Sequence, residues 1–348
     1  MLLSGLGAAL IAAAFIHEPY VIVSPGQATA LDGDVVHVAG TRTYRHAGEL
    51  LYLTVRVTDS DPNLYRWLLA KLDGDVSVIE KQDVIGCASY AASARLNAFL
   101  MQDSQDVAKS VALQRLGYEV QPGSSRVLVY DVGCDGPSRG KLQPGDVILS
   151  IDGTPATRAQ DVRPLVQAKQ PGERMTVRVL RGNERVDVPV KLGERDGKGY
   201  LGIATQDLVR SMFPVDVSID TQRVSGPSAG LAFTLAIIDD LTPGDLTDGR
   251  KVAVTGSILP DGTVGTVGGV AQKAITAREH GAKLMIVPAG EAADARDAVG
   301  DDVRIVSVRT IDDALRALRR AGGTGVPPAP STTTTSPTTS TTSPDQGR

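Results

Sequence analysis

A serine and a lysine in two glycine-rich segments are the residues of this chain most suited to chemistry. Ser228 stands in the segment 226–230, which reads Gly-Pro-Ser-Ala-Gly, and Lys273 follows soon after the glycine pair 268–269. A serine hydroxyl becomes a nucleophile when a neighbouring base removes its proton. A lysine amine can do this once burial has lowered its pKa from about 10.4 towards neutrality. The two residues are therefore predicted to form a nucleophile and its base.

The residues that follow Ser228 predict a helix that begins near the serine. The run 229–238 is apolar and helical in length. Free N–H groups and the positive end of the helix dipole would then lie where an oxyanion develops. The backbone expected to form this oxyanion site is that of Gly226, Pro227, Ser228 and Ala229. Lys273 is expected near the start of a second helix, among apolar neighbours that favour a neutral amine.

These segments resemble the proteolytic domain of Lon peptidases, which use a Ser-Lys dyad. The likeness covers about residues 200–320 and includes the segment 252–258, Val-Ala-Val-Thr-Gly-Ser-Ile. It implies that Ser228 attacks the peptide bond and that Lys273 is the base. It also implies that Thr255 helps to hold the lysine. One position departs from the pattern, since this chain has a serine at 225 where many Lon enzymes carry an acidic residue.

A Ser-His-Asp triad is the alternative for the same serine. Of the four histidines, only His280 lies in the candidate catalytic region. It follows Lys273 by two helical turns, which separates the two residues by roughly 10 Å along a helix axis. It also precedes Gly281, a position at which a polar residue commonly caps a helix. We therefore expect His280 to be a capping residue.

Composition limits the remaining chemistry. The chain has 348 residues, of which 42% are apolar, enough for two or three domains with cores. A net charge of −4 and dispersed basic residues give no support to nucleic-acid binding. No phosphate loop of the Gly-x-x-x-x-Gly-Lys-Ser/Thr type occurs, so any proteolysis is expected to be independent of ATP. No histidine or cysteine cluster has metal-ligand spacing, so neither a metal nor a cofactor is predicted.

Residues 125–193 resemble a bacterial PDZ domain. The segment 136–153 carries the likeness, because a turn of small residues leads through Pro-Gly-Asp into a buried strand and an Asp-Gly turn. A helix over 161–169 and a hairpin across 181–184 are predicted to follow. PDZ domains bind extended peptides at a sheet edge, so the expected partners are protein or peptide substrates.

The segment after this region has two interpretations. It reads Tyr200, Leu201, Gly202 and Ile203. It resembles the loop with which PDZ domains bind a peptide carboxylate. It equally fits the first strand of a proteolytic domain.

The N-terminus carries a membrane-targeting pattern. Residues 2–16 contain no charged side chain and consist of apolar and small residues. This is shorter than the roughly 20 residues of a spanning helix, so a signal-peptide core is the alternative to an anchor. Signal peptides normally open with a basic region, and its absence suggests a start upstream of Met1. We expect an uncleaved single-pass anchor over 1–19 in the cell membrane, with the rest of the chain outside the cytoplasm.

The remaining regions complete a predicted α+β multidomain chain. A small α/β domain is predicted over 20–124, a Lon-type proteolytic domain over 194–321 and a disordered Ser/Thr/Pro tail over 322–348. Cys87 and Cys134 fit a disulfide in an oxidising compartment, and they fit isolated buried thiols equally well.

Anchor, small domain, PDZ domain and Lon-type domain occur in this order in the PDZ-containing Lon-like (YlbL-type) proteases, especially of actinobacteria. This resemblance implies a membrane-tethered, ATP-independent serine endopeptidase whose PDZ domain recruits or gates protein substrates. It leaves a homo-oligomer open. The rivals are a PDZ and Lon-like scaffold that does not cut, and an activity limited to self-cleavage. Retention of both Ser228 and Lys273 favours cleavage.

Overall fold

The computed structural model describes residues 14–221 and 224–327. Residues 1–13 of the predicted anchor and 328–348 of the predicted tail lie outside these ranges. Among the residues that are described, we find no helix with the length and hydropathy needed to span a membrane.

The main sheet combines strands from both ends of the chain. Its strands are β1 (Tyr20–Ala30), β3 (Glu49–Val57), β4 (Ser77–Glu80), β14 (Lys251–Val254), β17 (Leu284–Pro288) and β18 (Arg304–Val308). Their order is β18-β17-β14-β3-β1-β4. Strands β3, β14, β17 and β18 are parallel. Strand β1 pairs antiparallel with β3, and β4 pairs antiparallel with β1 at the edge. The sheet therefore joins residues that the sequence analysis assigned to two domains, 20–124 and 194–321.

Helices cover both faces of the main sheet. They are α1 (Leu64–Leu72), α2 (Lys81–Ile85), α3 (Tyr90–Arg115), α5 (Gly230–Leu241), α6 (Val270–Glu279), α7 (Ala292–Val299) and α8 (Ile311–Arg320). Helices α3, α5 and α8 contribute to the core on one face, and α6 and α7 to the core on the other. Every residue of α5 from Gly230 to Asp239 is buried, which explains the unbroken apolar run in the sequence. Four consecutive residues of β3 are buried for the same reason, because both faces of that strand are covered.

A second sheet forms the region predicted as a PDZ domain. It contains β5 (Gln121–Val132), β6 (Val147–Ile151), β7 (Thr154–Pro155), β8 (Arg174–Arg181), β9 (Glu184–Lys191) and β12 (Ile203–Met212), with helix α4 (Ala159–Gln167). The order is β12-β5-β6-β8-β9, and β7 pairs with β6. Alternate residues of β8 point into its core, the pattern of a half-buried strand. Strand β12 pairs with β5 along its whole length, although it lies beyond the predicted boundary at residue 193.

The remaining strands of the described residues form three short two-stranded pairs. They are β2 (Val36–Ala39) with β13 (Asp216–Ile219), β10 (Gly193–Arg195) with β11 (Lys198–Tyr200), and β15 (Ser257–Ile258) with β16 (Val264–Gly265).

The two sheets are connected through helix α3 and a disulfide. Cys87, which precedes α3, is bonded to Cys134, which follows β5, so the two cysteines pair. Asp106 of α3 forms an ion pair with Arg210 of β12, with 3.1 Å between nitrogen and oxygen. Ser89 is the N-cap of helix α3, and its side chain accepts a hydrogen bond from a backbone N–H of the first turn, which stabilises the start of the helix. The region 125–193 is thus connected to the rest of the chain by the disulfide as well as by the backbone at its two ends.

Candidate active site

Ser228 lies in the turn immediately before helix α5. Ala229 is the N-cap of the helix, and Gly230 is its first residue. Two hydrogen bonds fix the serine backbone: the Gly256 N–H donates to the Ser228 carbonyl at 3.0 Å, and the Thr255 hydroxyl donates to the same oxygen at 3.3 Å. Both donors follow β14 at its carboxyl end. The serine is therefore held at that edge of the main sheet.

Helix α3 supports the residues that precede the serine. The Gly226 N–H donates to the Asn97 carbonyl at 3.0 Å, and the Ser104 hydroxyl donates to the Pro227 carbonyl at 3.2 Å. Gly226 has a φ of +96°, a conformation that side chains disfavour, so a glycine suits this turn. The sequence analysis missed Asn97 and Ser104. Ser104 precedes Pro227 by 123 residues, and nothing in the local sequence indicates the contact.

The backbone amides of Ser228 and Ala229 are the donors available to an oxyanion at this turn. Pro227 has no N–H, and the Gly226 N–H is occupied by the Asn97 carbonyl. Neither of the two following amides donates to a residue within the described ranges. Amides at a helix N-terminus are suited to bind developing negative charge. Of the four residues predicted for the oxyanion site, two retain a usable donor.

Lys273 lies in the first turn of α6, and it is 1% exposed. Gly269 precedes the helix with a φ of +66°, and a Cβ atom there would come within 2.9 Å of Val55. A side chain at 269 would therefore disturb the turn that starts the lysine helix. Burial disfavours the charged ammonium and lowers the pKa of Lys273 to about 8. A lysine with this pKa has a sizeable neutral fraction at mildly alkaline pH, which a general base requires.

Glu291 is the charged group that acts on the Lys273 amine. Its carboxylate favours the protonated amine and so opposes the effect of burial on the lysine pKa. Burial raises the pKa of Glu291 itself, while the Val267 N–H and Lys273 lower it. That N–H donates to the Glu291 carboxylate at 2.8 Å, which holds the acid beside the loop leading to α6. No motif in the sequence indicated this residue.

Ser228 and Lys273 reach one edge of the main sheet from opposite faces. Helix α5 packs in one core and α6 in the other, and β14 lies between them. The edge is the carboxyl end of the parallel strands, where active sites of open α/β sheets commonly lie. Thr255 stands there fully buried, and its N–H donates to the Ile286 carbonyl at 3.0 Å. Its hydroxyl binds the Ser228 carbonyl, and its predicted support of the lysine stays a prediction.

His280 caps the far end of α6. It is the C-cap residue, and its Nδ1 lies 2.8 Å from the Thr276 carbonyl oxygen. The predicted capping role is confirmed. Lys273 lies in the first turn of the same helix, so the two side chains are separated by its length.

The segment 200–203 borders a groove in the second sheet. The groove has a volume of about 620 Å³ and lies between α4 and the residues from β11 to β12. The Leu201 carbonyl accepts a hydrogen bond from the Ser138 hydroxyl at 2.6 Å, and the Gly202 carbonyl accepts one from the Gly133 N–H at 2.9 Å. Strand β12 pairs with β5 of this sheet. The binding of a peptide carboxylate by Tyr200, Leu201, Gly202 and Ile203 stays a prediction.

Metal-ligating residues do not converge in the described structure. Within residues 14–221 and 224–327, no group of three or more His, Cys, Asp or Glu residues could hold a metal ion.

Two family models match this chain. The PDZ domain model matches residues 114–192, and the model of the Lon protease C-terminal proteolytic domain matches residues 213–320. The chain therefore contains a PDZ domain followed by a Lon-type proteolytic domain, as expected of a PDZ-containing Lon-like protease.

Individual relatives match parts of the chain. A Lon protease of Phenylobacterium zucineum is 33% identical over 121 residues, which is 34% of this chain and 15% of the relative. A probable periplasmic serine endoprotease, DegP-like, of Pseudomonas fulva is 31% identical over 128 residues, 36% of this chain and 25% of the relative. The chain thus matches a quarter or less of the length of these two proteins. The crystal structure of the PDZ domain of an SdrC-like protein from Listeria innocua is 28% identical, covering 23% of this chain and 92% of that one, with a TM-score of 0.22.

Proposed function

We propose that this chain, which joins a PDZ domain to a Lon-type proteolytic domain, is a serine endopeptidase with Ser228 as nucleophile and Lys273 as base. The burial of Lys273 is the observation that supports this most directly. A solvated lysine stays protonated at neutral pH and cannot accept a proton from serine. Here the amine has a pKa of about 8 and belongs to a helix that starts at the same sheet edge as the serine turn.

The proposed reaction has two halves. The Lys273 amine removes the proton from the Ser228 hydroxyl while the serine oxygen bonds to the peptide carbonyl carbon, and the amides of Ser228 and Ala229 stabilise the oxyanion. The C–N bond then breaks, and the lysine ammonium gives its proton to the leaving amine. Water attacks the resulting ester with the lysine again as base, which releases the acid and restores the serine.

The proposed enzyme acts at a membrane and without ATP. The apolar segment 2–16 supports a membrane tether. The disulfide between Cys87 and Cys134 supports a location outside the cytoplasm, because disulfides persist in oxidising compartments. The sequence contains no triphosphate-binding loop of the Gly-x-x-x-x-Gly-Lys-Ser/Thr type that could couple cleavage to nucleotide hydrolysis.

The rate of peptide cleavage is expected to rise with pH, to be half-maximal near pH 8 and to level off above that value. Below the pKa of Lys273, about 8, the neutral amine is the minor form. Its fraction, and with it kcat/KM, then rises about tenfold for each pH unit well below the pKa. The measurement is kcat/KM for a short unstructured peptide from pH 6 to 9 at constant ionic strength. A rate that does not change over this range would contradict a lysine base.

The groove beside α4 is expected to supply affinity for protein substrates. Deleting residues 125–193 would also break the Cys87–Cys134 bond, so a single substitution is the sharper test. Ala159 lines the groove, and Ala159→Trp should fill it. The ratio of whole-protein to short-peptide kcat/KM should fall about tenfold, which corresponds to about 1.4 kcal/mol of lost binding energy.

The matched control for this experiment is Ala168→Trp. Ala168 is the exposed C-cap residue of α4 and does not line the groove. The control should leave the ratio of protein to peptide cleavage unchanged. If Ala159→Trp also left that ratio unchanged, the groove would have no recruiting role.

A further inference from the structure

Helix α1 presents an apolar face to solvent. The exposed fractions are 52% for Tyr65, 48% for Leu68, 49% for Leu69 and 84% for Leu72. These positions have the spacing i, i+3, i+4 and i+7, so the four side chains form one stripe along the helix, here called the α1 stripe. Single exposed apolar residues are common on protein surfaces, whereas a contiguous stripe of large ones indicates a contact surface.

The opposite face of α1 is firmly held. The Trp67 ring packs against Tyr20 of β1 with 5.8 Å between ring centroids, and Ala70 is buried. The Asn63 side chain caps the helix by accepting a hydrogen bond from the Arg66 N–H at 2.9 Å. The helix therefore has a defined inner face, and the α1 stripe points outward because the other face is already used.

The α1 stripe lies beside the point at which the N-terminal segment joins the fold. The Leu64 N–H, at the first residue of α1, donates to the Ile16 carbonyl at 2.8 Å. Phe15 and Ile16 are themselves exposed, with fractions of 77% and 48%. They are the last two residues of the uncharged segment 2–16. A backbone hydrogen bond thus joins the end of the apolar segment 2–16 to the first residue of the helix that carries the α1 stripe.

We propose that α1 lies in the interfacial layer of the bilayer that holds the N-terminal segment, with the α1 stripe inserted among headgroups and upper acyl chains. Helices with leucine and aromatic residues on one face bind membranes in this way. The inference rests on the membrane tether proposed above. The hydrogen bond between Ile16 and Leu64 keeps α1 next to the N-terminal segment. A bilayer that holds this segment is therefore the apolar surface to which the α1 stripe is most often exposed.

The charges around the α1 stripe indicate that insertion depends on apolar contact. Arg66 and Lys71 belong to the helix, while Asp73 and Asp75 follow its end and offset them. We therefore expect docking on uncharged phosphatidylcholine as well as on anionic lipid.

Trp67 is the chain's only tryptophan, and it lies on the inner face of α1, within about 10 Å, one helix diameter, of the α1 stripe, so its fluorescence reports whether α1 lies at the bilayer surface. The full chain would be reconstituted into phosphatidylcholine vesicles that carry bromine either near the headgroups or near the bilayer centre. We expect bromine near the headgroups to quench Trp67 more strongly than bromine at the centre. In the double variant Leu68→Asp, Leu72→Asp this quenching should be lost, because two carboxylates would have to enter the apolar layer. Both positions are exposed, so the fold should tolerate the change.

The matched control is Leu259→Asp. Leu259 has the same exposed fraction as Leu68, 48%, and lies in the proteolytic domain. It should leave the quenching unchanged, and flotation of the vesicles would report attachment separately. If Trp67 were unquenched in protein that floats with the vesicles, the docking would be overturned, while the tether and the protease would stand. Quenching of the double variant equal to that of the wild type would have the same consequence.

Two further outcomes would overturn the inference. A chain that does not float with the vesicles would remove the tether and the docking together, whereas peptide cleavage would still test the protease alone. A dimer in detergent that dissociates in the double variant, as measured by light scattering, would assign the α1 stripe to a second copy of the chain.

Discussion

Ser228→Ala is expected to lower kcat/KM for peptide cleavage by at least about 10³-fold without disturbing the fold. The substitution removes the attacking oxygen and leaves the backbone hydrogen bonds from Thr255 and Gly256 in place, since both go to the Ser228 carbonyl. The measurement is steady-state cleavage of an unstructured peptide, with circular dichroism to confirm folding.

Ser225→Ala is the matched control for the nucleophile. Ser225 is exposed and lies three residues earlier in the same segment, so its variant should retain nearly full activity. His280→Ala should likewise retain activity, because His280 is the C-cap of α6. Cleavage that survives Ser228→Ala, or that is lost equally in Ser225→Ala, would show that Ser228 is not the nucleophile.

Lys273→Met is expected to abolish cleavage and, at pH 7, to stabilise the fold. The folded chain lowers the lysine pKa from 10.5 to about 8, so the folded state binds the proton less tightly than the unfolded state. The resulting cost, about 3 kcal/mol, is fully present below pH 8 and disappears as the pH rises towards 10.5. Methionine has a similar length and no charge, so it removes this cost. Glu291 loses a favourable neighbour, which reduces the gain.

The test compares the free energy of unfolding of wild type and Lys273→Met at pH 7 and at pH 10. We expect the methionine variant to be more stable at pH 7 and the difference to shrink at pH 10. Lys273→Arg is a useful control, because arginine keeps its charge at both pH values and should lower the stability at each. A methionine variant that cleaves peptide would exclude Lys273 as the base. A variant that is less stable at pH 7 would show that burial of the lysine carries no such cost.

Local sequence patterns were enough to place Ser228 and Lys273 near the starts of two helices. The apolar run after Ser228 predicted helix α5, and the apolar neighbours of Lys273 predicted that it lies near the start of a second helix. Helices α5 and α6 begin within three residues of Ser228 and Lys273 respectively. The reason is physical, since helix starts depend on neighbouring residues and on glycines with positive φ.

Contacts between distant parts of the chain were not predictable from sequence. The predicted small domain over 20–124 instead provides strands β1, β3 and β4 of the main sheet, because β3 pairs with β14 in parallel. Such pairing is set by tertiary packing and leaves no local signal. Asn97 and Glu291 were missed for the same reason. Asn97 contacts Gly226, which lies far along the chain, and Glu291 contacts Val267 in the loop that leads to α6.

The disulfide between Cys87 and Cys134 has a consequence for where a substrate would be cut. Cys134 adjoins Gly133, whose N–H holds the Gly202 carbonyl at the groove, and Cys87 precedes α3, whose Asn97 carbonyl holds the turn before Ser228. One covalent bond and one helix thus connect the groove of the second sheet with the turn before Ser228. If the groove binds a chain end and Ser228 cleaves, as in the proposed function, this connection would set the distance from that end to the cut, and the terminal fragments would share one length whatever the sequence at the cut.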